Sequence, residues 1–270
     1  MKRGNAIGLA ILGVIAIGLL ACVGSVKKYH DQVPVLTAKD VKEARPGNSF
    51  TIEDLVDVKC KGEVTYEYGF KGGKDYCTVE EDNVLSIVDD RKTSSGILWF
   101  YINAMGPVAE GDSAEFYLDI FNPISEQNSR KVDVEGAHLR LYNEFEDQGD
   151  GVYTSTASGN KKSIYVRYVQ NVSDMDAMEE VIKKYLYDAY DTTTVKVEDG
   201  SEYTSQDIKL SSGKTARKIT IKYVTPEGDM VMGVVYAFCE GDLHMFLEDT
   251  NPVPAYAEFE MEEIANTVTY

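Results

Sequence analysis

Positive charge is what this chain has least of. Lys and Arg number 27 against 45 Asp and Glu, a formal net charge of -18. A surface that acidic repels phosphate backbones and anionic head groups, which excludes nucleic-acid binding and membrane attachment by charge. Histidine is almost as scarce: His30, His138 and His244 stand apart, with no second His or Cys at metal spacing. With no His-Glu-x-x-His and no Cys-x-x-Cys, zinc has no ligand set. The Gly-x-Ser-x-Gly elbow of serine hydrolases is missing too. No repeat period and no low-complexity tract occurs, and the composition excludes a collagen-like chain or a mainly disordered tail. Only one long apolar run exists, Ala6 to Ala21, too little for a polytopic membrane protein. What remains, 270 residues with 43% hydrophobic and 27% charged side chains, is enough for one large globular domain or two smaller ones.

The apolar run has a direction. Met1-Lys2-Arg3 is a cationic start, and the run ends Leu19-Leu20-Ala21-Cys22. This ending resembles the lipobox of bacterial lipoproteins. The resemblance implies a signal peptide over residues 1–21, cleavage before Cys22, and a diacylglycerol group on the Cys22 thiol as lipid attachment. Each buried CH₂ of an acyl chain adds about 0.8 kcal/mol, and two chains together hold a protein at a bilayer. The alternative is an uncleaved transmembrane anchor, since the run is close to spanning length. Both readings place the rest on the extracytoplasmic face of the cell membrane, with Lys2 and Arg3 on the cytoplasmic side.

Residues 22–46 read as a tether with a short helix, in which Thr37 and Asp40 have capping-box spacing. From 47 to 145 the signals are those of strands. Val64-Thr65-Tyr66-Glu67-Tyr68, Val84 to Val88, Glu115 to Phe121 and Lys131 to Val134 are β-branched or aromatic runs broken by Gly, Asp and Asn. Ile97 to Ile102 is the most apolar and reads as a central strand. Six or seven short strands describe a small all-β barrel or sandwich. Their order resembles an OB-like barrel or an immunoglobulin-like sandwich, the latter with Trp99 as core aromatic. The acidic, Gly-containing run Glu144 to Gly151 reads as a domain boundary. Beyond it come a hairpin, a helix opened by Ser173 with Asp176, an antiparallel meander from Ile219 to Leu247, and a closing helix after Pro254.

Leu210-Ser211-Ser212-Gly213-Lys214-Thr215-Ala216, Pro226-Glu227-Gly228, Glu240-Gly241 and Ile264-Ala265-Asn266 together resemble the PsbP-like family over 151–270. That resemblance implies an α/β sandwich with an antiparallel sheet, so the expected fold class is α+β. It carries no shared catalytic residues.

Gly213-Lys214-Thr215 is not a phosphate loop, because Ile208 stands where Walker A needs glycine and a strand follows instead of a helix. The clusters Glu80-Glu81-Asp82, Asp89-Asp90, Glu144/Glu146/Asp147/Asp150 and Asp174/Asp176 lack the calcium-loop spacing and read as solvated acidic faces. With Cys22 acylated, Cys60, Cys77 and Cys239 remain. Cys60 and Cys77 either pair as a disulfide, worth about 3 kcal/mol, or stay reduced; Cys239 reads as a buried thiol.

No metal and no cofactor beyond the lipid on Cys22 is expected. The function expected is that of a non-catalytic, membrane-anchored lipoprotein binding an unknown protein or small-molecule ligand at the cell envelope, with surface tyrosines as contacts. The alternative is a carboxylate-dependent, calcium-requiring envelope hydrolase.

Overall fold

The computed structural model describes residues 29–88, 93–134, 136–157, 161–189, 203–224, 230–240 and 243–270. The leader, Cys22, Asp89-Asp90 and the turn residues 225–229 lie outside them. Contacts divide the chain into two units. The first comprises the segment ending at Glu43, Gly47–Ile87 and Ile97–Leu118; the second comprises Ala44–Pro46, Val88–Gly96 and Asp119–Tyr270.

The chain begins with β1 (Val35–Ala38), β2 (Glu43–Ala44), β3 (Ser49–Phe50), a helical turn α1 (Ile52–Leu55) and β4 (Val56–Lys59). Then come β5 (Thr65–Gly72), a 3-10 turn at Lys74–Tyr76, β6 (Cys77–Val79), β7 (Leu85–Ile87), β8 (Ser95–Met105) and β9 (Glu110–Phe121). The ribbon β1-β4, the four-stranded sheet β2-β9-β8-β5 and the three-stranded sheet β3-β7-β6 result. The helix expected near Thr37 is strand instead, because Val35 to Ala38 pair with Lys59 to Val56. The capping box lies further on. Thr51 Oγ1 accepts from the Asp54 amide at 3.3 Å and Asp54 Oδ2 accepts from the Thr51 amide at 2.9 Å, so Thr51 starts a helical turn rather than a strand. From Ile97 onward strand β8 alternates. Leu98, Phe100, Ile102 and Ala104 are fully buried, and the Phe100 ring stacks on Phe116 of β9 at 4.9 Å.

The second unit adds β10 (Ser129–Val134), β11 (Ala137–Tyr142), β12 (Glu146–Gly149), β13 (Val152–Ser155) and β14 (Lys162–Tyr168). It continues with α2 (Met175–Ala189), β15 (Tyr203–Lys209), β16 (Thr215–Val224), β17 (Met230–Glu240), β18 (Leu243–Asp249) and α3 (Pro254–Thr267). Strands β10 and β11 form a separate hairpin; the rest make a seven-stranded antiparallel sheet in the order β12-β13-β14-β18-β17-β16-β15. Period-two alternation divides β17 between two cores. Val234, Tyr236 and Phe238 join Ala257, Met261, Ile264 and Ala265 of α3. Val235 and Ala237 join Met178, Ile182 and Leu186 of α2. Helix α2 starts one residue later than its sequence signal, since Asp174 Oδ1, not Ser173, accepts from the Ala177 amide at 2.9 Å. The Gly213 loop is a strand-entry turn at φ +86°, closed by the Leu210 amide on Lys214 O at 2.9 Å.

These observations correct the α+β expectation and its PsbP-like second half. The molecule is mostly β, built from several sheets, the largest of them the seven-stranded antiparallel one. Nor do residues 47–145 gather into one OB-like barrel or immunoglobulin-like sandwich. They spread over small sheets, and their last hairpin, through Ala137, Leu139 and Leu141, enters the core of the second unit. The physical reason is strand length: β8 runs eleven residues and β9 twelve, past the short-strand spacing that a barrel signature assumes. The acidic run read as a boundary holds β12, exposed along its whole length and paired through Glu146↔Thr154 and Asp147↔Tyr153. Backbone pairing there overrides composition, and the charges suit a short, solvent-facing edge strand.

Candidate functional site

Two clusters of polar and aromatic side chains stand out, one on each unit. On the first, the outward residues of β8 are Ile97, Trp99, Tyr101, Asn103 and Met105, and those of β9 include Glu115 and Tyr117. Ile97 is 49% exposed, Met105 53% and Tyr117 58%. Trp99 and Tyr117 stack across the two strands, centroids 5.2 Å apart and planes 25° apart. On the β5 side, Lys71 Nζ lies 4.9 Å from the Trp99 ring centroid. Glu115 Oε1 accepts from both the Trp99 indole N–H and the Lys71 ammonium, each at 2.5 Å. Hydrogen bonds from Lys71 and then Trp99 hold the Glu115 carboxyl below its ordinary range, and the bond to Glu115 raises the Lys71 ammonium. Tyr101 extends the row by lying over Gly69, where a Cβ would collide with the ring. The result is an open, aromatic face with one anion and one cation at its centre.

Trp99 is therefore not a core residue, as an immunoglobulin-like sandwich would have it. It occupies the half-buried, outward side of β8.

On the second unit Lys162, the first residue of β14, is 1% exposed, and Glu260 of α3 is fully buried. Lys162 Nζ donates to Glu260 Oε1 at 2.6 Å, Glu144 Oε1 at 2.9 Å and Ser94 Oγ at 2.8 Å. Ser95 Oγ donates to Glu260 Oε1 at 2.8 Å, Asn251 Nδ2 to Glu260 Oε2 at 3.2 Å, and Ser155 Oγ to Glu144 Oε2 at 2.8 Å. Burial alone would lower the Lys162 ammonium, but Glu260 and Glu144 outweigh it and hold the group above its usual value. Neighbouring Asp249, fully buried, is pushed well up, by burial first and by the charge of Glu260 second. The Ser94–Lys162 pair has the distance of a nucleophile and its base, yet the chemistry runs the other way. A lysine held cationic donates to the serine and cannot take its proton. Ser94, Ser95, Lys162 and Glu260 are all sealed from solvent, so no substrate reaches them. The cluster is a buried ionic tie joining the segment before β8, β14 and α3.

Of the residues singled out in the sequence, Cys22 lies outside the described ones. Cys60 follows β4, and Cys77 opens β6 with its Sγ donating to Lys74 O at 3.7 Å; no disulfide joins them. Cys239, half-buried near the end of β17, has its thiol raised by burial. Among the acidic clusters, Asp174 caps α2 and Asp176 accepts from Arg217 at 2.7 Å. Asp147 accepts from the Gly149 amide at 2.8 Å, while Glu144 is drawn into the buried tie. Among the described residues no group of three or more His, Cys, Asp or Glu is arranged to hold a metal ion. Nothing in the sequence pointed to the Lys162 cluster, because Lys162 lies 68 positions from Ser94 and 98 from Glu260.

Comparison with protein-family models and with curated proteins finds no match for this chain.

Proposed function

We propose that the chain is a non-catalytic binding module, anchored at the extracytoplasmic face of the cell membrane by a lipid on Cys22, that engages its partner through the Trp99–Tyr117–Tyr101 face. The observation carrying this reading is the exposure of the aromatic row: Tyr117 keeps more than half its surface in solvent, with a charged pair beside it. Aromatic side chains combine apolar area with a polar tip at low entropy cost and dominate binding energetics when covered. The Ser94–Lys162 pair, which has catalytic distances, is sealed, and that removes one reason to prefer a hydrolase.

The test uses the full-length chain in non-ionic detergent. Trp99 is the sole tryptophan, so its emission reports on this face alone. Titration with solubilised envelope fractions should give a saturable change that Tyr117→Ser abolishes. Cys22→Ala should eliminate lipid labelling. Turnover on a panel of peptidase, esterase, phosphatase and glycosidase substrates, with or without Ca²⁺, would overturn the proposal.

A further inference from the structure

The outward face of the β10-β11 hairpin carries an unexpected pairing for so acidic a chain. Lys131 and Arg140 are direct cross-strand partners, so two cations face each other on one side of a two-stranded ribbon. Like charges directly opposite are destabilising. The cost is conspicuous in a chain with 45 acids and 27 bases, where an acid opposite either cation was the commoner choice.

Local anions do little to relieve it. Asp133, the next residue on that face, is taken by His138 Nδ1 at 2.6 Å. Glu126 is 3.9 Å from Arg140 Nη1, with its side chain 87% exposed, a distance at which screening leaves little attraction. Lys131 forms no ion pair among the described residues. Arg140 is anchored rather than neutralised. Its Nε donates to Ser129 Oγ at 2.9 Å and its Nη2 to Ser129 O at 3.3 Å, which fixes the guanidinium plane and leaves Nη1 its open donor. The two cations line a pocket of about 500 Å³ with Asp133, His138, Leu139, Thr267 and Thr269. Thr267 is structural there: its hydroxyl accepts from the Arg140 amide at 2.8 Å and donates to Ile264 O at 2.7 Å.

From this geometry we infer that the pocket binds a small oxyanion of the phosphate class, seated between Lys131 and Arg140. Two facing cations are best offset by a group carrying two charges on several oxygens. The fixed guanidinium supplies a directed donor and the lysine a mobile point charge. A monocarboxylate offers one charge and fits this pair less well. The site belongs to the second unit and stands apart from the reading of the aromatic face.

Inorganic phosphate is the probe, titrated calorimetrically into the full-length chain in non-ionic detergent, with melting followed in parallel. Chloride at matched ionic strength and acetate are the comparators. Saturable phosphate binding is expected, with a melting temperature that rises with phosphate and at least tenfold weaker binding of acetate. Lys131→Glu should do two opposite things. Placing an acid across from Arg140 should raise the melting temperature in phosphate-free buffer while weakening phosphate binding at least tenfold. Lys131→Gln, which removes the charge without adding one, should weaken binding and raise the melting temperature by less than Lys131→Glu does. The inference fails if phosphate does no more than chloride, if Lys131→Glu binds phosphate as before, or if Lys131→Glu melts lower than the parent chain without phosphate.

Discussion

Lys71 and Lys162 are built from the same parts. Each ammonium contacts a glutamate, at 2.5 Å for Glu115 and 2.6 Å for Glu260. Each lies near an aromatic ring, 4.9 Å from the Trp99 centroid and 5.1 Å from that of Phe145. What separates them is water. The Lys71 and Glu115 side chains are 44% and 40% exposed, against 1% and 0% for Lys162 and Glu260. In high dielectric such a pair contributes little, because solvent screens it and the side chains lose freedom. In the interior the same pair is stabilising only as a complete set, and removing one member leaves a charge that nothing solvates. One cluster therefore holds the fold, while the other is free to exchange its contacts for a partner.

The largest expected effect breaks the buried member of the comparison. Lys162→Met removes the cation and strands Glu144 and Glu260, which should cost about 3–5 kcal/mol. For a chain of this size that lowers the melting temperature by on the order of 10 °C. Chemical denaturation checks it. Adding Glu144→Gln and Glu260→Gln to Lys162→Met should recover most of the loss, since a buried ionic set replaced as a whole is often neutral. A Lys162→Met chain as stable as the parent would mean that the cluster does not tie the second unit together.

This contrast was invisible in the sequence, and the reason is physical. Periodicity reports which side of an element is apolar, and it located β13, β14, the meander and both long helices well. It does not report which strand faces reach water once sheets are assembled. Trp99 sits among Ile97, Leu98 and Phe100, a run that reads as fully buried, yet alternation sends Trp99 outward and Phe100 inward. Capping chemistry was legible in kind but misplaced: Thr37 and Asp40 have the right spacing, but Val35 and Leu36 commit that segment to a ladder with β4. The acidic run at Glu146 to Gly149 misled because solvent-facing edge strands tolerate charge. Lys162 lay beyond any sequence reading, since its partners come from segments far apart in the chain.

A smaller and opposite effect sharpens the view of the buried cluster. Burial and then the charge of Glu260 push the Asp249 carboxyl well up. Its folded pKa lies above the unfolded value near 3.8, so its stabilisation is complete below about pH 4 and fades as pH rises towards the folded value. Asp249→Asn keeps the acceptor that binds the Asn251 amide at 2.7 Å and needs no proton to stay neutral. The variant should be more stable than the parent at neutral pH. The gain should vanish near pH 4. Unfolding curves across that range test the sign, and a variant less stable at pH 7 would show that Asp249 is needed as a carboxylate.

The smallest effect on stability should come from the exposed counterpart, Lys71→Met. The substitution keeps an unbranched apolar stem beside Trp99 while removing the ammonium from its ring and from Glu115. Because solvent already screens that ammonium, melting should be unchanged within the precision of the measurement. The indole should still report the loss. A cation near a ring shifts the energy of its excited state, and its removal leaves the Glu115 carboxylate at the indole N–H without that cation. A displaced emission maximum with intact melting is the expected pair of readings. Partner binding measured through the same fluorophore should weaken, since the face loses the cation that orients Glu115. Should Lys71→Met instead lower the melting temperature as far as Lys162→Met does, exposure would not separate the two clusters, and the aromatic row would be a structural strut rather than a docking face.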